Sequence, residues 1–358
     1  MMGFFCVFPE GAPTPLKNRE KPRIIRTDAR DGSPAGEGYE EAIAVSLYKK
    51  LATLSVSNIS LGADHFGGWM EDAVATRILD AYVDHGGNFI DTANLYGRWM
   101  PGGENRSEQF LGHWLRERKK PVIIATKGGH HDLTDPSHRR LGEADVRWDL
   151  ESSLLTLGLE TIDLYWLHRD DTNLPIGQIL EMLEAFVREG KIRHYGASNY
   201  SAARLREAEA YARAHGLQGF TAVSNQHSAA HVNRDANTNP DPTLILTGEE
   251  ELAYHRESGM PLIPYQSTAR GYFSKLHKGT PLPEGLAAAY ENEENRILYG
   301  ALCRRCEELG CSMQTAALLA VTEEPFPVIP ITSVSREEQL ADVFRAMELL
   351  AEEKGGKP

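Results

Sequence analysis

The chain reads as an α/β protein of the (β/α)8 barrel class: a parallel eight-stranded barrel with its helices outside. Three observations predict this. Short apolar segments alternate with longer ones whose apolar residues recur at helical spacing, in about eight units. The apolar segments show no solvent face, as strands covered on both sides by helices do. Most of them end in a polar or ionisable residue, and the C-terminal strand ends are where such a barrel carries its site.

The units follow one another from Tyr48. Ser57 to Gly62 is expected as the first strand. Glu71 to His85 carries Ala73, Val74, Ile78, Leu79 and Tyr82 at helical spacing, and Gly86-Gly87 ends that helix. Asn88 to Asp91 is a strand. Arg106 to Glu117 is a helix with Phe110, Leu111, Trp114 and Leu115 on one face. Pro121 to Thr126 is a strand ending at Lys127, and Glu143 to Leu157 is a helix closed by Gly158. Ile162 to Leu167 is a strand ending at His168, followed by a helix over Ile176 to Glu189. Ile192 to Ala197 is a strand ending at Ser198-Asn199, followed by a helix over Ala202 to His215. Phe220 to Ser224 ends at Asn225-Gln226, and Glu249 to Ser258 is a helix. Pro261 to Pro264 is a strand ending at Tyr265-Gln266-Ser267. Helices over Asn295 to Leu309 and Met313 to Thr322 precede the last strand, Val328 to Ile331. That strand ends at Thr332-Ser333, and Arg336 to Leu350 is the closing helix.

Residues 1–46 differ from this pattern. Pro9, Pro13, Pro15, Pro22 and Pro34, with scattered glycines and charges, break any period. They read as an irregular N-terminal extension ahead of a barrel over 47–358. The apolar start, Met1 to Phe8, lacks the basic lead-in and cleavage site of a signal peptide. The net charge of -13 argues against a nucleic-acid partner. No apolar run approaches the ~20 residues of a membrane span. Cys6, Cys303, Cys306 and Cys311 have no second pair at zinc-ligand spacing, so no metal is expected. Reduced thiols in a cytoplasmic protein are the expectation.

Asp91, Tyr96, Lys127 and His168 stand at strand ends or just beyond them. A free phenol titrates near pH 10, too high for easy proton exchange at neutral pH. An ammonium beside it favours the phenolate, and Lys127 is placed to supply that charge. A buried ammonium needs a partner, which Asp91 provides. His168 adds a group that can donate to a carbonyl oxygen. Such a set is a general acid tuned by an ion pair, and it calls for a hydride donor such as a reduced nicotinamide. Ser198, Asn199 and Gln226 carry groups that could hold a carboxamide, and Tyr265 could stack on its ring.

Those residues lie in an ordered set of motifs: Asn88-Phe89-Ile90-Asp91-Thr92-Ala93 with Tyr96-Gly97, Ser107-Glu108, Ala125-Thr126-Lys127, Leu164 to His168, Gly196-Ala197-Ser198-Asn199, Asn225-Gln226, Pro264-Tyr265, and Ile329-Pro330-Ile331 with Glu338-Gln339-Leu340. From about Tyr48 to its C-terminal helix the chain resembles the aldo-keto reductases. The resemblance implies a (β/α)8 barrel that binds a nicotinamide cofactor without a Rossmann fold. It implies Asp91, Tyr96, Lys127 and His168 as the catalytic tetrad. It places the nicotinamide on Ser198, Asn199, Gln226 and Tyr265, with Gly62, Gln266, Ser267, Arg270, Ser333, Ser335, Arg336 and Gln339 along the rest of the cofactor. The implied activity is reduction of an aldehyde or ketone to an alcohol, or the reverse.

The chain departs from the family pattern in four places. A basic residue is usual after the last strand, near the 2′-phosphate of NADP. Here Ser333 and Ser335 stand there, with Arg336 adjacent, which favours NADP(H) and leaves NAD(H) as the alternative. The usual Ser-Pro-Leu after the seventh strand is replaced by Gln266 to Gly271. The loop His231 to Thr247 is long and follows the sixth strand, where lids occur. The extension before Tyr48 lies outside the usual barrel. Asp64, His65, Trp69, Trp99, His130, His131, Arg169 and Asp170 are the substrate-pocket candidates, and rings beside hydroxyl-bonding groups favour a sugar-like compound. Two other readings use the same fold. A metal-dependent hydrolase would want His-x-His on the first strand, where Gly62-Ala63-Asp64-His65-Phe66 stands instead. A non-catalytic, nicotinamide-binding regulatory subunit would keep the tetrad.

Overall fold

The computed structural model describes residues 47–355, apart from 103, 136, 234–240 and 242. The N-terminal extension thus lies outside the described residues. The barrel opens with a hairpin of β1 (Tyr48–Leu51) and β2 (Leu54–Ser57), antiparallel in the register Tyr48↔Ser57 and Leu51↔Leu54. It was not expected from the sequence. Its turn is Ala52-Thr53, with Ala52 at φ +51°. Two-residue hairpin turns need positive φ and usually signal it with Gly or Asn. Leu51, Leu54 and Val56 are buried against Phe89, Leu164 and Ile329 from inside the barrel. Lys49 donates to the Val328 carbonyl at 2.6 Å, and Thr53 bonds His194 at the same distance. The hairpin therefore plugs the end of the barrel where the strands begin.

The parallel strands then alternate with helices: β3 (Ser60–Gly62), α1 (Asp72–Asp84), β4 (Phe89–Asp91), α2 (Arg106–Arg118), β5 (Ile123–Gly128), α3 (Glu143–Leu157), β6 (Ile162–Leu167), α4 (Ile176–Arg188), β7 (Ile192–Ser198), α5 (Ala202–His215) and β8 (Val223–Ser224). After α6 (Glu249–Ser258) come two short helices that the sequence did not signal, α7 (Tyr272–His277) and α8 (Glu284–Tyr290). Then follow α9 (Glu293–Leu309), α10 (Met313–Ala320), β9 (Ile331–Thr332) and α11 (Leu340–Gly355).

Seven strands hydrogen-bond side by side in the order β8-β7-β6-β5-β4-β3-β9. The expected seventh strand, Pro261 to Pro264, is reduced to single bridges. Leu262 pairs with Val223 on one side and Val328 on the other, and Gln226 pairs with Tyr265. Pro261 and Pro264 lack the N–H groups a longer ladder needs. With Ser60 paired to Ile331, these bridges close the eight-stranded barrel. The last expected helix also differs. A 3-10 turn over Glu337–Gln339 precedes α11, because the Gln339 side chain accepts from the Ser335 and Arg336 amides.

Two apolar layers hold the fold. The inner one fills the barrel; the outer one lies between strands and helices. Gly196 in β7 has no side chain because a Cβ there would enter the Trp166 ring. Trp166 is fully buried, so its indole occupies the space that a larger residue at Gly196 would need.

Candidate active site

The strand ends bring Asp91 of β4 and Lys127 of β5 side by side. β4 and β5 pair in parallel register. The Lys127 ammonium donates to the Asp91 carboxylate, to the Thr92 carbonyl at 2.9 Å and to the Tyr96 hydroxyl at 3.2 Å. All three of its donors are thus engaged. Both members of the ion pair are 3% exposed. Burial pulls the Lys127 pKa down, but the Asp91 carboxylate outweighs it and lifts the ammonium above its ordinary value. Burial also pushes Asp91 up, and the Lys127 charge opposes that. We take the pair as ionised, because the three contacts of Lys127 suit an ammonium.

Tyr96 corrects one expectation. The Lys127 charge does lower the phenol, as the sequence argument held. Burial, with the Asp91 and Asp64 charges, outweighs it, so the phenol stands above its ordinary pKa. Trp99 packs edge-on against Tyr96, 6.0 Å between ring centres, and His168 does the same on another side at 6.0 Å.

His168 is held well below the ordinary histidine pKa, chiefly by burial and then by the nearby Arg169 charge. It is a neutral ring. Its Nδ1 is buried with no partner. A sealed N–H costs more than a sealed lone pair, so the proton belongs on Nε2. His130 stands 4.9 Å from His168 at 75°, and burial pushes its pKa down to about 3. Lys127, His168, His130, His131, Leu133 and Trp148 line a cleft of about 460 Å³.

Sequence reasoning singled out His130 and His131 but missed the other wall. Trp148 lies on α3 off its buried face, with Arg98 and Arg140 over its ring at 5.1 and 5.9 Å. Asn94 ties the Tyr96 loop to α3 by donating to the Asp149 carbonyl at 3.3 Å and to Ser153 at 3.1 Å. Asp149 accepts from Arg140 at 2.8 Å and from the Gly129 amide at 2.9 Å. Glu108 is fully buried, accepts from Thr126 at 2.6 Å and Asn105 at 2.8 Å, and so fastens α2 beneath β5.

The expected cofactor residues gather around the other half of the mouth. Asn199, at φ +61°, donates to the His168 carbonyl at 3.1 Å and accepts from the Tyr265 hydroxyl at 2.6 Å. Ser198 donates to the Ser224 carbonyl at 2.7 Å. Gln226 is joined through its backbone to Ile245 and Thr247, so the described end of the 231–247 loop lies across this rim. Gln266 and Arg270 both have positive φ, 55° each, in a tight turn ahead of α7. Ser267 is turned inward, donating to the carbonyls of Pro264 and Ile331. Ser333 donates to Asp64 at 2.5 Å, and a Cβ on Gly62 would meet the Ser333 hydroxyl at that same distance. Ser335, Arg336 and Gln339 form the capped turn already described, and Arg336 is exposed.

The pocket candidates separate. Trp69 is 65% exposed, and His65 lies out by Asp64 at 3.8 Å. Asp170 does not face the cleft as a free carboxylate; it is paired with Arg204 at 3.2 Å. Arg169 is paired with Asp241 at 3.0 Å, which draws the 231–247 loop toward His168. His130, His131 and Asp241 have possible ligand atoms within 4.8 Å of one another. The Arg169 guanidinium already occupies that carboxylate, so a cation there would meet a positive charge.

A closed (β/α)8 barrel with a buried ammonium–carboxylate pair against a phenol has the form of a barrel oxidoreductase. Residues 58–354 match the aldo/keto reductase family, and the chain belongs to that family. It is 31% identical over 307 residues to an uncharacterized oxidoreductase, YrpG, of Bacillus subtilis (strain 168), covering 83% of this chain and 89% of that one. It is 29% identical to norsolorinic acid reductase stcV of Emericella nidulans, over 86% of this chain and 77% of that one. An aryl-alcohol dehydrogenase of Pestalotiopsis microspora is 26% identical, over 82% of this chain and 74% of that one. The protein is an oxidoreductase by family. Among its described residues, no helix is long and apolar enough to cross a membrane.

Proposed function

We propose that this oxidoreductase uses a nicotinamide cofactor, NADP(H) before NAD(H), to interconvert a small aldehyde or ketone and its alcohol, with Tyr96 as the general acid and base. The observation that carries the reading is the shared ammonium: Lys127 bonds Asp91 and Tyr96 at once. Tyr96 gives its proton to the carbonyl oxygen. Its high pKa is no obstacle, because the alkoxide forming as hydride arrives is a far stronger base. Lys127 stabilises the phenolate left behind, and Asp91 keeps Lys127 charged. The His168 Nε2–H bonds the carbonyl oxygen and aims it. In the reverse direction the phenolate takes the proton from the alcohol.

The cofactor, when bound, supplies or accepts the hydride. The residues present fit it. Ser198, Asn199 and Gln226 would hold a carboxamide by their hydroxyl and amide groups, with the bonds that Ser198 and Asn199 now make to the Ser224 and His168 carbonyls exchanged for it, and Tyr265 offers a ring held by its bond to Asn199. Arg336 and Arg270 offer guanidiniums to phosphate groups.

An aryl aldehyde or ketone is the proposed substrate class. Trp148 lines the cleft and Trp99 packs edge-on against Tyr96, and one relative is named an aryl-alcohol dehydrogenase. The sugar-like alternative rested on aromatic rings beside hydroxyl-bonding groups; of those groups, Asp64 and Asp170 are engaged by Ser333 and Arg204, and Trp69 stands out in solvent. The test is a titration of the protein with NADPH and NADH by tryptophan fluorescence, followed by benzaldehyde reduction. Tight binding and turnover are expected. No binding of either nucleotide would overturn the proposal.

A further inference from the structure

We infer that His130 is a specificity-determining residue: its Nε2 accepts a hydrogen bond from a hydroxyl next to the substrate carbonyl, so the cleft selects hydroxylated aldehydes and ketones over their deoxy analogues. This rests on the function proposed above and deepens it. Nδ1 of His130 lies 2.9 Å from the His131 backbone carbonyl, an oxygen that only accepts. Nδ1 therefore carries a proton. The ring is neutral, since burial and the Arg169 charge hold its pKa near 3. A neutral imidazole protonated at Nδ1 presents a lone pair at Nε2.

That nitrogen is available to a ligand. His130 lines the cleft with Lys127 and His168. Its Nε2 makes no hydrogen bond among the described residues and is not among the buried unpartnered atoms. His168 has the opposite tautomer, as its sealed Nδ1 requires. Two neutral rings 4.9 Å apart thus offer the cleft a donor and an acceptor side by side. A carbonyl oxygen satisfies the donor on His168. The acceptor on His130 wants a hydroxyl a carbon or so away. A deoxy analogue would strip water from the Nε2 lone pair and give nothing back, which is how a site built to bond a hydroxyl rejects the analogue without it.

The experiment compares α-hydroxyacetophenone, its methyl ether and acetophenone. For each, kcat/KM is measured, and binding is measured separately by tryptophan quenching. The wild-type protein is expected to prefer the hydroxy ketone by about threefold to tenfold, the worth of one neutral hydrogen bond, chiefly through KM. In His130→Phe, which keeps a flat ring against His168, the ratio of hydroxy to deoxy compound should fall to about one. His130→Gln, which returns an acceptor, should restore part of it. Equal treatment of the hydroxy ketone and its ether, or a preference that survives His130→Phe, would overturn the inference while leaving the reductase function standing. A binding preference with no turnover of any ketone would uphold the inference and overturn the function.

Discussion

The Lys127 ammonium lies 3.2 Å from the Tyr96 hydroxyl while holding the Asp91 carboxylate on its other side. The phenol is the one member of this trio that need not be charged in the resting protein. Its ring lies edge-on to those of Trp99 and His168, 6.0 Å from each, and His168 lines the cleft. We therefore expect the proton chemistry at Tyr96.

Tyr96→Phe removes the hydroxyl and leaves the ring and its packing. Turnover should fall by about 10²–10⁴, the range of a lost general acid. Nucleotide binding should persist, because Ser198, Asn199 and Tyr265 are untouched. Steady-state kinetics beside a fluorescence titration check this. Near wild-type turnover would remove Tyr96 from its role.

Lys127→Met leaves Asp91 buried at 3% exposure with its cation gone. Removing one partner of a buried pair costs about 3–5 kcal/mol. Removing both should cost less, so Lys127→Met/Asp91→Asn should be more stable than Lys127→Met alone. Urea unfolding of the variants tests the sign. Equal stability of the single and double variants would mean that Asp91 finds relief elsewhere.

Folding stability should fall with acid well before most carboxylates protonate. Burial holds His130 near 3, His227 near 4 and His168 well below its ordinary value. Unfolded, each takes up a proton near 6.5. Between those values the unfolded chain binds more protons, so stability is lost as pH falls from about 6.5 toward 4. The slope is up to about 1.4 kcal/mol per pH unit for each ring. Unfolding free energies measured from neutral pH to about pH 5 should show it, and His130→Gln should flatten the slope. An unchanged slope in that variant would mean that His130 is charged in the folded protein.

Much of the barrel was legible because strand and helix periods differ and because glycines close the helices. Helices α3, α5 and α6 begin and end where the sequence pattern placed them. The β1–β2 hairpin was not legible, since a turn of Ala52-Thr53 carries no glycine to announce a positive φ. The seventh strand was overestimated because Pro261 and Pro264 leave only Leu262 to bridge. In the site, Asp91, Lys127 and His168 could be read because adjacent parallel strands bring their ends together. Trp148, Arg140 and Asn94 could not. Their meeting depends on how α3 packs over the Tyr96 loop, and no local period encodes that.

We expect Arg336 to set the choice between NADPH and NADH. It sits just after β9, at the turn where Gln339 caps the Ser335 and Arg336 amides. It is exposed, and among the described residues its guanidinium has no carboxylate partner, whereas the adjacent Glu337 is taken by Arg77 at 2.8 Å. With the amides capped and Ser333 bonded to Asp64, Arg336 is the group of this turn best suited to a 2′-phosphate. Arg336→Ala should raise KM for NADPH about tenfold to a hundredfold, the loss of one charge-assisted bond, and leave KM for NADH nearly unchanged. Kinetics with both nucleotides on one substrate decide it. Equal effects on the two would move Arg336 away from the phosphate and turn attention to Arg270 on the neighbouring turn.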